Sequence, residues 1–151
     1  MTVRSFNVRS YGILLNQDSV LLSEEWYPNH DGPILKFPGG GVNLGEGVVD
    51  CLIREFREEA NLEIKVHDVV HVGRGFVKSH FNDTQVISVY FRVESLGGEP
   101  PVDQILMDPE GREGASYRLF WCPLSELDAK KMTFANEKEM VTVLQKYPVP
   151  G

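Results

Sequence analysis

The chain has 151 residues, of which 42% are hydrophobic and 25% are charged, and its formal net charge is −7. This length and composition are typical of a single globular domain, which we expect over residues 1–151, and they exclude a disordered chain. The acidic balance and the lack of a Lys/Arg block argue against non-specific binding to nucleic acid or to anionic membranes.

The first part of the chain predicts strands. Residues 5–15 and 19–26 flank a turn at residues 16–18, and a short strand at 34–37 leads into the glycines Gly39–Gly41. Three consecutive glycines permit positive φ angles and close approach of a ligand to the backbone, although a flexible turn would also explain them.

A helix follows the glycines. Helix-forming residues without proline predict that it begins at Glu46 or Gly47 and ends at Asn61. A period of 3.6 residues places these side chains on one buried face: Val48, Val49, Leu52, Ile53, Phe56 and Ala60.

Three acids lie beside that buried face. Glu55, Glu58 and Glu59 share one arc because residues three and four apart are neighbours on a helix surface. Like charges at this spacing destabilise a helix by roughly 0.2–0.5 kcal/mol per pair, and acids in the last turns oppose the helix dipole. One explanation is a solvated acidic face that pairs with Arg54 and Arg57. The other is a site for a hard divalent cation such as Mg²⁺, which prefers oxygen ligands.

The rest of the chain adds strands and a second helix. The predicted elements are a strand-like stretch at 63–77, a strand at 85–93, a short strand at 118–122 and a helix at 136–146. A turn-rich segment separates the last two strands. The order of strands, helix, strands and helix predicts an α/β fold with a mixed sheet between helices.

The spacing of the glycines and acids forms one long motif. It reads Gly40, five residues, Glu46, seven residues, and then Arg54-Glu55-Phe56-x-Glu58-Glu59-x-Asn61-Leu62. This motif, which we call the Nudix box, resembles the signature of the MutT-like Nudix hydrolases, except that the family usually has glycine where Asn61 stands. Asn61 follows the helix end, where a left-handed conformation is common and asparagine is the best substitute for glycine. The resemblance implies a Nudix-type α/β/α sandwich.

The resemblance also implies a reaction and a set of site residues. The reaction is hydrolysis of a pyrophosphate bond in a nucleoside diphosphate linked to another group, with Mg²⁺ or Mn²⁺ as cofactor. Such an ion would bridge phosphate oxygens and activate a water for attack at phosphorus. The expected metal ligands are Glu46, Glu55, Glu58 and Glu59. Gly40 or Gly41 would contribute a backbone group to substrate binding.

The expected catalytic residues are Arg54, Glu55, Glu58 and Glu113. Arg54 lies four residues before Glu58, so we expect it to orient a carboxylate of the box rather than to touch the substrate. The box does not identify the general base. We name Glu113, with Glu110 as the other candidate, because both lie in the glycine-containing segment 108–117 of the kind that often carries function. Exposed loop charges are the alternative explanation for both.

Substrate identity lies outside the box. Five aromatic residues are candidates either to stack on a base or to fill the core: Trp26, Tyr27, Phe81, Tyr90 and Tyr117. His80 and Asn82, in a predicted hairpin loop, are candidates to touch the substrate. The expected partner is a small nucleotide, with no nucleic acid and no membrane, and homodimer formation is left open.

Cys51 and Cys122 have no metal-binding spacing, so we expect two free thiols, and without a signal or membrane-spanning pattern we expect a cytoplasmic protein. Two other functions compete with hydrolysis. A non-catalytic nucleotide-sugar sensor on the same fold tends to lose the acids of the box, all of which are present here. An isopentenyl diphosphate isomerase would need a catalytic cysteine, for which Cys51 is poorly placed because the helix pattern buries it.

Overall fold

The computed structural model describes residues 2–147. The strands are β1 (Ser5–Asn16), β2 (Ser19–Trp26), β3 (Ile34–Lys36), β4 (Gly39–Gly41), β5 (Glu63–Val72), β6 (Thr84–Gly97), β7 (Leu106–Met107) and β8 (Ser116–Pro123). The helices are α1 (Val48–Ala60) and α2 (Ala135–Lys146), and two short 3₁₀ turns, Leu124–Glu126 and Ala129–Lys131, precede α2.

The strands form a mixed sheet in the order β5-β6-β1-β2-β8-β7, with β3 added to β2 and β4 added to β1. β1 and β6 are parallel, from Ser5 opposite Thr84 to Leu14 opposite Val93, and the other pairs of strands are antiparallel. β1 meets β2 only at its last residues and pairs with β4 at residues 9–11. The sheet therefore opens beside the glycines.

The sheet has a hydrophobic core on each face because successive side chains of a strand point to opposite sides. Leu14 of β1 belongs to the core that contains Phe56 of α1. Its neighbour Ile13 belongs to the opposite core, which contains Met140 and Leu144 of α2. The predicted α/β/α sandwich is confirmed.

The structure differs from the predictions at several positions. The glycines form strand β4 rather than a flexible turn, because their backbone pairs with β1. β5 ends at Val72, five residues before the predicted end at 77, whereas β6 continues to Gly97 instead of ending at 93. Val49, which we placed on the buried face, is 40% exposed because the first turn of α1 is not covered by the sheet.

Membrane crossing can be examined for the helices within residues 2–147. No helix in this part of the chain is long and apolar enough to cross a membrane.

The end of α1 gives a test of the backbone. Asn61 has φ 52° and ψ 39°, the predicted left-handed conformation. Asn61→Ala should lower the free energy of unfolding by about 1 kcal/mol, because a Cβ without a local hydrogen-bonding group is disfavoured there. Asn61→Gly should leave that free energy the same or raise it. Urea denaturation measures both variants, and an equal loss in the two would contradict the assignment.

Candidate active site

Helix α1 begins at a glycine that its third residue caps. The Asp50 carboxylate accepts a hydrogen bond from the backbone N–H of Gly47 at 3.1 Å. An acid in the first turn also lies at the favourable, positive end of the helix dipole. This start fixes the register of α1 and brings Glu55 against strand β4.

The glycines of β4 make that contact possible. A Cβ atom on Gly40 would lie 2.5 Å from Oε1 of Glu55, and one on Gly39 would lie 2.0 Å from the carbonyl oxygen of Ser10. Gly39 also has φ +148°, a conformation that residues with side chains rarely adopt. The buried Cys51 thiol lies 3.5 Å from the carbonyl oxygen of Gly40. Helix, glycine strand and β1 are thus packed too closely for side chains at residues 39 and 40.

Arg54 ties the box together. Its Nε and Nη2 donate to the two carboxylate oxygens of Glu46 at 2.9 and 2.7 Å. Nη1 donates to Glu55 at 3.0 Å and to Glu58 at 3.3 Å, while Nη2 also donates to the carbonyl of Gly41 at 3.0 Å. One guanidinium therefore contacts three carboxylates and the backbone of β4.

Glu46 is held by Arg54 rather than grouped with the other acids. The Arg54 hydrogen bonds lower the pKa of Glu46 to about 2, so it is ionised across the ordinary pH range. The structure brings both its oxygens to the guanidinium, and one also accepts the N–H of Asn43 at 2.9 Å. This position suits orientation of Arg54 better than metal binding.

Three carboxylates lie close together beside helix α1. Oxygen atoms of Glu55, Glu58 and Glu110 lie within 4.8 Å of one another. Glu110 comes from the segment between β7 and β8, where the Asp108 carboxylate accepts its backbone N–H at 3.2 Å. Glu113, in the same segment, is exposed and belongs neither to this group nor to the cavity beside it. The structure therefore brings Glu110, and not Glu113, close to the acids of the Nudix box.

A buried ion pair lies behind the acids. Nζ of Lys36 is 3.2 Å from a carboxylate oxygen of Glu25, and both side chains are about 5% exposed or less. Lys36 also donates to the carbonyl of Gly39 at 3.1 Å, and Glu25 accepts from the Tyr27 hydroxyl at 2.6 Å. The sequence pattern did not single out Lys36 or Glu25 as site residues. The available signal was a charge inside the otherwise apolar strand 34–37.

Glu59 completes the surplus of negative charge. One of its carboxylate oxygens is buried and has no hydrogen-bond partner among the described residues. Burial raises the pKa of Glu59 well above its ordinary value and also raises that of Glu55, while the charge of Lys36 acts in the opposite direction on both. Mg²⁺ and Mn²⁺ prefer carboxylate oxygens as ligands. This site offers several, and one oxygen of Glu59 is not used in a hydrogen bond within the described residues. The residues present therefore fit such an ion.

A cavity of about 470 Å³ runs from these acids to the α2 side of the sheet. At the acid end it is lined by Glu25, Lys36, Glu55, Glu59 and Glu110. Toward α2, in the part that we call the α2 end, it is lined by Asn7, Arg9, Tyr11, Ser88, Asn136 and Glu137. The glycines of β4 also line the cavity. Lys36 connects the two parts, because its Nζ lies 5.4 Å from the centre of the Tyr11 ring.

The aromatic candidates divide between cavity and core. Tyr27 and Phe81 line the cavity and pack edge to face, with ring centroids 5.4 Å apart. Tyr90 and Tyr117 are buried, and the Tyr117 hydroxyl donates to the carbonyl of Glu59 at 2.8 Å. Trp26 is half-buried and does not line the cavity. Of the two loop candidates, His80 lines the cavity and Asn82 does not.

Comparison with known proteins identifies the family. The model of the NUDIX domain matches residues 6–144. The chain therefore belongs to the Nudix family. With every acid of the Nudix box in place, it is a Nudix pyrophosphohydrolase. A search of curated proteins finds no match.

Solved structures share the fold at low sequence identity. A NUDIX hydrolase from Nitrosomonas europaea is 19% identical with a TM-score of 0.71, over 93% of this chain and 89% of that one. A MutT NUDIX hydrolase from Burkholderia pseudomallei is 18% identical with a TM-score of 0.70, over 93% and 98%. An ADP-ribose pyrophosphatase from Streptococcus suis 89-1591 is 20% identical with a TM-score of 0.61, over 96% and 94%.

The contact between Gly40 and Glu55 can be tested by adding one methyl group. Gly40→Ala should displace the Glu55 carboxylate and lower the affinity for Mn²⁺ by roughly 10–100-fold, the usual cost of disturbing a ligand's support. Gly41→Ala is the matched change, because there the nearest atom would be 3.5 Å away, an ordinary contact. It should keep the Mn²⁺ affinity of the unchanged protein. Electron paramagnetic resonance titration measures both, and equal losses would contradict the role of the close contact.

The raised pKa of Glu59 predicts how stability depends on pH without metal. A carboxyl whose pKa is raised by folding binds more protons in the folded state, so stability falls as pH rises above its ordinary pKa. Metal-free Glu59→Gln should therefore lose less stability between pH 5 and pH 8, by up to about 1.4 kcal/mol per pH unit. Urea denaturation in EDTA measures the difference. Parallel curves for the two proteins would show that Glu59 is ionised at no cost.

Proposed function

We propose that this enzyme hydrolyses a pyrophosphate bond in a nucleoside diphosphate linked to another group, such as a nucleotide sugar, or in a nucleoside triphosphate. The observation that carries the proposal is the convergence of Glu55, Glu58 and Glu110 at one end of a cavity large enough for a nucleotide. The name of the Streptococcus suis neighbour, an ADP-ribose pyrophosphatase, agrees with this class of substrate.

We assign the metal to Glu55, Glu58 and Glu59, with Mg²⁺ or Mn²⁺ as the ion. When bound, it would offset the negative charge of the pyrophosphate and increase the acidity of a water at phosphorus. The unpartnered oxygen of Glu59 and the surplus of carboxylates support this assignment. Arg54 acts as a positioning residue, because its hydrogen bonds fix Glu55 and Glu58 relative to each other.

Glu110 takes the role of general base in this proposal. It is exposed and lies in a loop, so it can reach the water on the open side of the cavity, accept its proton and leave the remaining oxygen to bond to phosphorus. The leaving phosphate departs with the electron pair of the broken P–O bond. The backbone of Gly40 and Gly41, which lines the cavity beside the acids, is available to bind a phosphate oxygen.

The two loop glutamates provide a matched test of the base. Glu110→Gln should lower kcat by roughly 10²-fold, the usual contribution of general base catalysis, with little change in KM. Glu113→Gln makes the same chemical change three residues away and should leave kcat close to that of the unchanged protein. Steady-state kinetics at saturating Mg²⁺ measure both. A large loss of kcat in Glu113→Gln with a normal kcat in Glu110→Gln would instead identify Glu113 as the general base.

The alternative of a non-catalytic nucleotide-sugar sensor is tested by turnover. Incubation with nucleotide sugars, nucleoside triphosphates and dinucleotides in Mg²⁺, followed by assay of the phosphate products, should reveal at least one substrate. Glu58→Gln should remove that activity and retain the fold by circular dichroism. Tight binding of one compound with no turnover of any would favour the sensor.

The isomerase alternative is disfavoured by the cysteine it would need. Cys51 is buried, and burial raises its pKa to about 11, so it is a poor source of a reactive thiolate. Cys51 and Cys122 are both free thiols. This agrees with a reducing compartment, and we propose a cytoplasmic location.

A further inference from the structure

Among the residues that the structure describes, one cation of the cavity forms no salt bridge. Four cationic side chains line it, and three of them pair with carboxylates: Lys36 with Glu25, Lys78 with Asp83, and Arg112 with Asp108. Within residues 2–147, Arg9 has no carboxylate oxygen within 4.0 Å. Its Nε donates to the Tyr11 hydroxyl at 2.6 Å, while Nη1 and Nη2 make no hydrogen bond to the described protein. A donor fork therefore stands free in a partly buried position.

A buried carboxylate lines the cavity near Arg9. Glu137 lies in the first turn of α2 and is 1% exposed, yet one of its carboxylate oxygens has no hydrogen-bond partner among the described residues. Leaving such a group unpaired is costly. The Tyr90 hydroxyl lies beside Glu137 and also lacks a hydrogen-bond partner in residues 2–147, but Tyr90 does not line the cavity. A ligand in the cavity is therefore the donor that this carboxylate can meet from the open side. Burial raises the pKa of Glu137 to about 7, with Lys36 acting in the opposite direction, so the carboxylate is ionised at pH 8.

The register of the sheet brings these two groups to one place. Arg9 of β1 lies opposite Ser88 of β6. The Asn136 side chain donates to the Ser88 hydroxyl at 3.0 Å, and Asn136 directly precedes Glu137. Because paired residues lie on the same face of a sheet, Arg9 points to the face that α2 covers.

Aromatic rings line the cavity beside the start of α2. Phe81, His80 and Phe134 line the cavity, and the rings of His80 and Phe134 pack edge to face with centroids 4.7 Å apart. Flat side chains of this kind bind planar heterocycles by stacking. The α2 end therefore has both the walls and the polar groups that a nucleobase requires.

The polar groups also select among bases. An arginine only donates and an ionised carboxylate only accepts. The arginine fork needs two adjacent acceptors on the base, with an N–H group beside them for the carboxylate. Guanine has such a pair in O6 and N7, with N1–H next to O6, and cytosine has one in O2 and N3, with its amino group next to N3. Adenine and uracil have no two adjacent acceptors.

We propose that the α2 end of the cavity binds the nucleobase of the substrate and selects guanine or cytosine, with Arg9 donating to the adjacent acceptors and Glu137 accepting from the neighbouring N–H. This inference rests on the proposed function for the identity of the substrate as a nucleotide. It assigns specificity to residues that the Nudix box does not include.

Binding of the four nucleoside monophosphates tests the selection without requiring turnover. Calorimetry at pH 8 with GMP, CMP, AMP and UMP should show GMP or CMP bound roughly tenfold or more tightly than AMP and UMP, the discrimination expected of a bidentate base contact. Which of GMP and CMP binds better decides between the two bases. Equal affinities, tightest binding of AMP or UMP, or no binding would overturn the proposal.

Two variants separate base recognition from other roles. Glu137→Gln and Arg9→Lys should each reduce the preference to within about threefold, because one loses the charged acceptor and the other loses the fork while keeping its charge. An equal loss for all four nucleotides in Arg9→Lys would identify Arg9 as a phosphate contact and overturn the proposal. Circular dichroism confirms that each variant is folded.

Glu139→Gln is the matched control. It makes the same change on the same helix, but the Glu139 carboxylate pairs with His71 at 2.5 Å and does not line the cavity. It should keep the base preference, and loss of that preference would show that α2 acts through its packing, against the proposal. Failure of the proposed function would appear separately, as a lack of hydrolysis of every nucleotide in the panel while this binding pattern stands.

Discussion

The site depends on one guanidinium that holds several carboxylates in place. Arg54 joins Glu46 from the loop, Glu55 and Glu58 from the helix, and the backbone of Gly41 from the strand. A single positive charge cannot neutralise three carboxylates, so the acids are positioned while a surplus of negative charge remains. That surplus of carboxylates is a donor set that a hard divalent cation would fit.

The glycine strand shapes the cavity. Because Gly40 has no side chain, Glu55 approaches the backbone of β4 directly, and the cavity continues past the strand to the other face of the sheet. Alternation along β1 then separates two tasks. Ser10 donates to the carbonyl of Val48 in α1, on the side of the acids, whereas Arg9 lies with Ser88 and α2 on the opposite side. Neighbouring residues of one strand thus serve the two ends of one cavity.

Both ends of the cavity lower the stability of the ligand-free protein, each for a different reason. At the acid end, burial makes ionisation of Glu55 and Glu59 unfavourable until a cation is present. At the α2 end, Glu137 and Arg9 each keep polar atoms without hydrogen-bond partners in residues 2–147. Both ends therefore give up some stability in the free enzyme, and a ligand that satisfies these groups restores it.

The sequence by itself determined the features that depend on short separations. The helical period placed Glu55, Glu58 and Arg54 on neighbouring positions, the helix end predicted the left-handed Asn61, and the order of elements predicted the sandwich. In these cases the geometry of a few residues along one element fixes the result, so spacing along the chain is sufficient information.

Only the tertiary structure decided which distant groups meet. The path of the loop after β7 brings Glu110 rather than Glu113 to the acids, and the pairing of strands brings Arg9 to the helix that carries Glu137. The sequence pattern also did not predict that Lys36 is buried. Loop paths and sheet register result from packing over the whole chain, and periodicity along the sequence does not encode the distance between groups on different elements.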